Sequence, residues 1–196
     1  MSKVGIFGGA FDPPHTGHTE LASAAKKELK LAEMLIIPTG EPPHKSGCRT
    51  AFADREKMAE LAFPASEGFI VSDIEKKLGG KSFTINTIRA LRDIYPAKTE
   101  FYLLIGGDQL FTIEKWFRYE ALLKECRVCA VTRDGVDYAD MQEYANELGR
   151  VKVLNLPIPA VSSSEVRGKI AAGEDVSGLV PDPVLQYIND RGLYRG

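Results

Sequence analysis

Six short apolar runs, separated by stretches with helical spacing, set the strongest limit on what this chain can fold into. The runs are KVGIFG (3–8), EMLIIPT (33–39), GFIVSD (68–73), EFYLLIG (100–106), RVCAVTR (127–133) and VKVLNLP (151–157). They are rich in Val, Ile and Leu without strict polar alternation, as strands covered on both faces must be. Helical patterns lie between them near 17–30, 54–63, 84–94, 117–125 and 138–148. This alternation predicts an α/β fold, a doubly wound parallel sheet. A length of 196 residues suits one domain over 1–196.

The tail breaks the alternation. Two helices are predicted near 163–172 and 182–191 with no strand between them, giving a helical C-terminal extension over about 162–196. Ser162 offers an N-cap, Glu165 its capping-box acid and Gly173 a stop. Pro181 and Pro183 mark the start of the second helix and Gly192 its end.

Composition removes several function classes. The formal net charge is −2, with both signs interspersed and no basic stripe, which argues against nucleic acid as a partner. No apolar stretch approaches the roughly 18–20 residues a membrane span needs, and the N-terminus enters a strand directly, so a cytoplasmic protein is expected. Cys126 and Cys129 form a C-x-x-C pair, which suggests either redox or zinc chemistry, or packing. Their place inside an apolar run favours packing.

The chemistry concentrates in GGAFDPPHTGH (8–18), the loop between the first run and the first helix. In open α/β sheets ligands gather at the carboxyl ends of strands. A helix start there presents N–H groups and a positive dipole end to an anion. Gly8 and Gly9 allow close backbone approach to phosphate, and Pro13 and Pro14 stiffen the loop. The spacing is neither G-x-G-x-x-G nor a P-loop, since no Gly-Lys-Ser/Thr follows. His15 and His18, three residues apart, share a face if the helix begins between them. Donors aimed at a phosphoryl group fit best. A zinc site with His44 or Asp12, and histidines used as caps or packing groups, are the competing explanations.

GGAFDPPHTGH resembles the signature of the nucleotidyltransferase superfamily, whose HxGH element also occurs in class I aminoacyl-tRNA synthetases. A synthetase would need a far longer chain and a lysine-rich KMSKS loop. The resemblance implies a Rossmann-like nucleotidyltransferase fold, ATP as substrate, and His15 and His18 as groups that stabilise charge while the α-phosphate is attacked.

VSSSEVR (161–167) is similar to the superfamily's ISSTxIR element, with Val161 for Ile and Ser164 for Thr. Serine at a helix start is common for structural reasons, but Arg167 one turn in supplies a permanent forked cation. Ser162, Ser163 and Arg167 are expected to hold the β- and γ-phosphates, Arg167 as a third catalytic group. The resemblance adds Phe11, Lys45, Gly106 and Asp108 to the ATP contacts, with Gly8 and Gly9 in the loop and Asp108 placed for a ribose hydroxyl. Adenine contacts are expected at strand ends near Ile105 and Arg133.

The acceptor is read from IGGDQLFTIEKW (105–116), the PPHK segment around His44 and Lys45, and KSFTINTI (81–88). Together they resemble bacterial nicotinate mononucleotide adenylyltransferases. That likeness implies transfer of the adenylyl group of ATP to nicotinate mononucleotide, held by Gly9, Ala10, His44 and Lys45, with Thr84 and Trp116 cradling the nicotinate. Phe83 stands where the family has Tyr, Asn86 where it has Asp, and no arginine is dedicated to the carboxylate. Nicotinamide mononucleotide and pantetheine phosphate remain alternative acceptors, and a catalytically silent nucleotide sensor an alternative function. Mg²⁺ is expected to bridge substrate phosphates with no protein metal cage. The partners expected are these small molecules and, as a monomer or homo-oligomer, another copy of the chain; a dimer is favoured.

Overall fold

The computed structural model describes residues 2–41, 48–132 and 137–195. β1 (Lys3–Gly9), α1 (Thr16–Leu29), β2 (Glu33–Pro38), α2 (Phe52–Ala62), β3 (Phe69–Val71), α3 (Ile74–Leu78), α4 (Thr84–Ile94) and β4 (Glu100–Gly106) form the first half. α5 (Gly107–Leu110), α6 (Tyr119–Glu125), β5 (Arg127–Val131), α7 (Tyr138–Leu148), β6 (Val151–Leu154), α8 (Ser163–Ala171) and α9 (Asp182–Arg191) complete it. The six strands pair in the order β3-β2-β1-β4-β5-β6, all parallel.

Side chains along each strand alternate between two apolar layers. Phe7, Met34, Ile36, Leu104 and Cys129 pack with α1, α2, α8 and α9 on one face. Val4, Ile6, Leu35, Ile37, Leu103 and Val128 pack with α3 to α7 on the other. Burial on both faces is why the strands read as continuous apolar runs. The C-x-x-C is split by the same alternation: Cys129 lies in the first layer and Cys126 in the second. Burial pushes the Cys126 thiol up to about 12 and Cys129 up to about 11, as expected of packing residues.

Several expected boundaries move. The third strand shortens from 68–73 to Phe69–Val71, and the last from 151–157 to Val151–Leu154. Pro157, with no N–H to donate, cannot extend that ladder. α8 therefore does not follow its strand directly; residues 155–162 intervene without regular structure. Those eight residues reach up to ~26 Å when extended, enough to recross β5 and β4, about 14 Å of sheet at ordinary strand spacing. α8 and α9 thereby return to the layer that holds α1. Two short helices, α3 and α5, and 3₁₀ turns at Ala65–Glu67 and Ile113–Lys115 appear where loops were expected.

Candidate active site

The sheet itself opens the site. The ladder between β1 and β4 ends at Phe7 and Leu104. Beyond that point Gly8 and Gly9 pair with Ile37 and Pro38 of β2, while Ile105 and Gly106 pair with Ala130 and Val131 of β5. Two neighbouring strands thus lean apart at their carboxyl ends. β1 and β4 are also where the strand order reverses, the position at which open α/β sheets form a crevice.

Loop 10–15 leaves this crevice and returns as α1. Phe11 takes a left-handed backbone with φ +48°, which costs a non-glycine residue about 1–3 kcal/mol. Its ring is 1% exposed, and full burial of a phenylalanine contributes roughly 2–3 kcal/mol. Packing therefore offsets the strain. The ring meets Phe7, Phe63 and His18 edge-on at 5.5, 5.7 and 5.1 Å. It also folds back over Gly9, where a Cβ would lie 3.2 Å from the ring. A side chain at 9 would thus press on the Phe11 ring even without a ligand. At Gly8 a Cβ would meet nothing closer than 3.9 Å.

His15 is the N-cap of α1 and His18 lies in its first turn, which contains no acidic residue. The two imidazoles stack with centroids 3.7 Å apart and planes at 29°. The His15 backbone N–H donates to His18 Nδ1 at 3.2 Å. A ring that accepts at Nδ1 carries its proton on Nε2, so neutral His18 is a hydrogen-bond donor there. Gly17 sits between them, and a Cβ at this position would lie 3.0 Å from the Pro159 carbonyl and 3.1 Å from His15 Nδ1.

The start of α8 comes to the same loop. Ser163 Oγ donates to the Pro13 carbonyl at 2.9 Å, and Arg167 Nη1 to the Asp12 carbonyl at 2.6 Å. Arg167 Nη2 donates to Ser164 Oγ at 3.0 Å. Ser162 caps the helix by accepting from the Glu165 N–H at 3.1 Å, as its sequence position predicts. Thr16 at the start of α1 donates its N–H to the Leu179 carbonyl at 2.9 Å. The first turns of α1 and α8, 147 residues apart at Thr16 and Ser163, thus flank one loop.

Asp12 is 2% exposed. Its carboxylate accepts from the Arg49 N–H at 2.6 Å, from the Thr50 hydroxyl, and from the Tyr194 hydroxyl at 2.7 Å. Burial is the main reason the Tyr194 phenol is pushed up. These bonds commit Asp12 to the protein and leave it unsuited as a zinc ligand.

On the β4 side, Gly106 ends the strand and Asp108 is exposed in α5, whose start is tied by the Gly106 N–H to Gln109 Oε1 at 3.0 Å. Ile105 is buried in the sheet. Thr84 is the first residue of α4, and Trp116 is half-buried against the second apolar layer. Phe83 and Phe117, their respective neighbours, meet with ring centroids at 4.7 Å. That contact brings the two acceptor-side segments together. His44, Lys45 and Arg133 lie outside the described residues.

The sequence reading missed Arg55. This α2 residue is 2% exposed, yet forms no ion pair among the described residues. It donates Nη1 to the Ala10 carbonyl at 3.0 Å and Nη2 to the Thr39 carbonyl at 2.8 Å. Its buried Nε has no hydrogen-bond partner among the described residues. Arginine does not shed its proton, and burying an ion costs several kcal/mol. Two charge-assisted bonds return roughly 1.5–3 kcal/mol each. A signal existed: Arg55 shares a helical stripe with buried Met58, Ala59 and Ala62.

Comparisons with known proteins identify the family. The cytidylyltransferase-like family model matches residues 6–169. The probable nicotinate-nucleotide adenylyltransferase of Exiguobacterium sibiricum is 39% identical over 98% of both chains. That of Dehalococcoides mccartyi strain 195 is 40% identical over 98% of this chain and 97% of its own. Among solved structures, Plasmodium falciparum nicotinic acid mononucleotide adenylyltransferase complexed with NaAD has the same fold. Its TM-score is 0.83 at 20% identity, over 99% of this chain and 98% of that one.

Proposed function

The chain belongs to the cytidylyltransferase-like family, among its nicotinate-nucleotide adenylyltransferases, and from that membership we propose the reaction: ATP and nicotinate mononucleotide give deamido-NAD and pyrophosphate. The observation that carries the reading is the meeting of the α1 and α8 starts on loop 10–15, beside the crevice between β1 and β4.

The mononucleotide's phosphate is already ionised, so the protein need not supply a strong base. One of its oxygens attacks the α-phosphorus of ATP. The bond from that phosphorus to the bridging oxygen breaks, and pyrophosphate leaves with the electron pair. The protein's part is alignment and stabilisation of developing charge. His18 donates from Nε2 beside His15, and α1 adds the positive end of its dipole. Ser162, Ser163 and Arg167 serve the β- and γ-phosphates from the other side. Asp108 takes a ribose hydroxyl, while Thr84 and Trp116 hold the pyridine ring.

The donor set at this mouth consists of imidazoles, hydroxyls, a guanidinium and helix N–H groups, with Asp12 already committed. It suits an anion, and Mg²⁺ fits as a partner of the phosphate oxygens. When bound, the ion offsets charge on the triphosphate. Among the described residues no helix is long and apolar enough to cross a membrane. Phosphorylated substrates of this kind suit a cytoplasmic enzyme.

Steady-state rates of pyrophosphate release with three acceptors, side by side, test the assignment. Nicotinate mononucleotide is expected to give the highest kcat/KM. An equal or higher value with nicotinamide mononucleotide or pantetheine phosphate contradicts it.

A further inference from the structure

The buried guanidinium of Arg55 has no place in the reaction as described, yet it is wired to the loop on which that reaction depends. Its two η nitrogens bridge the Ala10 carbonyl, at the start of the loop, and the Thr39 carbonyl, just past β2. Thr39 in turn donates its N–H to the Gly9 carbonyl at 2.8 Å. The chain on both sides of the β1 exit is therefore fixed to one side chain.

The Ala10 carbonyl belongs to the peptide plane that precedes Phe11, and the orientation of that plane sets φ of Phe11. Arg55 holds the plane where Phe11 adopts its left-handed φ of +48°. In that conformation the Phe11 ring lies edge-on to His18, with centroids 5.1 Å apart. A rotated plane would swing the ring away and release the imidazole from one of its walls. Among the described residues the Nε of this side chain, which is 98% buried, has no hydrogen-bond partner.

We propose that Arg55 is a positioning residue for adenylyl transfer: by bridging the Ala10 and Thr39 carbonyls it fixes Phe11, and through the Phe11 ring it orients His18. Arg55 does not touch substrate. The inference rests on the reaction assigned above, but its central step, from Arg55 to His18, is visible without catalysis.

Arg55→Met and Arg55→Lys test it, the second keeping charge and length while losing the fork that spans two carbonyls. Each variant is checked for folding by circular dichroism and then assayed with ATP and nicotinate mononucleotide. Imidazole signals of ¹⁵N-histidine-labelled protein are recorded in parallel. With three histidines in the chain, the His18 signal is assigned by comparison with His18→Gln. Folded Arg55→Met is expected to lose kcat by about 10²-fold, the effect of a misplaced catalytic group, with smaller changes in either KM. Arg55→Lys is expected to fall between it and the wild type. The His18 signal is expected to shift in both. A merely structural role would lower the melting temperature yet leave kcat and the His18 signal of the folded variants unchanged, and that result overturns the proposal. Failure of both variants to fold overturns it too, by making Arg55 a folding residue. An inactive wild type whose His18 signal still responds to Arg55 would sink the assigned reaction and leave the positioning intact.

Discussion

At His18 the hydrogen-bond pattern decides which proton is offered. Nδ1 is taken by the His15 N–H, so the donor is Nε2, on a residue in a helix first turn that carries no acid to offset the dipole. Removing one preorganised donor of this kind costs roughly 10²–10³-fold in turnover. His18→Ala is expected to fall by that factor, with folding unchanged by circular dichroism. Turnover near the wild-type value would remove His18 from the chemistry. The two histidines were legible in the sequence because loop and helix start are contiguous there. Arg55 was not, because its partners are main-chain carbonyls of Ala10 and Thr39. Nothing in DREKM names them, and arginine in a helix most often faces water.

The elements act in pairs. α1 meets the segment leading into α8 where Gly17 lets the Pro159 carbonyl approach, with 3.0 Å left for a Cβ. Gly17→Val would press on that carbonyl and on the His15 ring together. The expected result is a loss in kcat/KM on the order of 10²-fold with helix content retained; wild-type kinetics would mean that the close approach of α1 to the segment before α8 is not needed. On the other side of the crevice, α4 and the turn carrying Trp116 adjoin through Phe83 and Phe117. Stacking of an aromatic on a base contributes roughly 1–3 kcal/mol, so Trp116→Ala is expected to raise KM for the mononucleotide about tenfold or more and leave that for ATP largely unchanged. Equal losses for both substrates would count against the stacking role. The long elements were readable because burial on both sheet faces leaves unbroken apolar runs. α3 and α5, five and four residues long, are too short to show a 3.6-residue repeat. The sixth strand was read three residues too long, because its apolar run continues past Leu154, where the pairing with β5 stops at Val131.

Over the whole molecule, distant parts of the chain close on one place. Loop 10–15 accepts from Arg55 of α2, from Ser163 and Arg167 of α8, and its Asp12 carboxylate from Tyr194 near the C-terminus. Strand order could not be read from periodicity, since any arrangement of six buried strands gives the same pattern; long-range pairing sets it. The net charge of −2 does not favour a polyanion, so recognition must come from the local field of two helix starts and two arginines. A crystal structure with Mg²⁺ and the α,β-methylene analogue of ATP, which blocks the bond that breaks, measures this directly. One triphosphate is predicted to lie within hydrogen-bond distance of both His18 and the Ser162–Arg167 turn. Phosphates bound at one helix start, with the other left in solvent more than 6 Å away on the order of a water layer, would contradict the account.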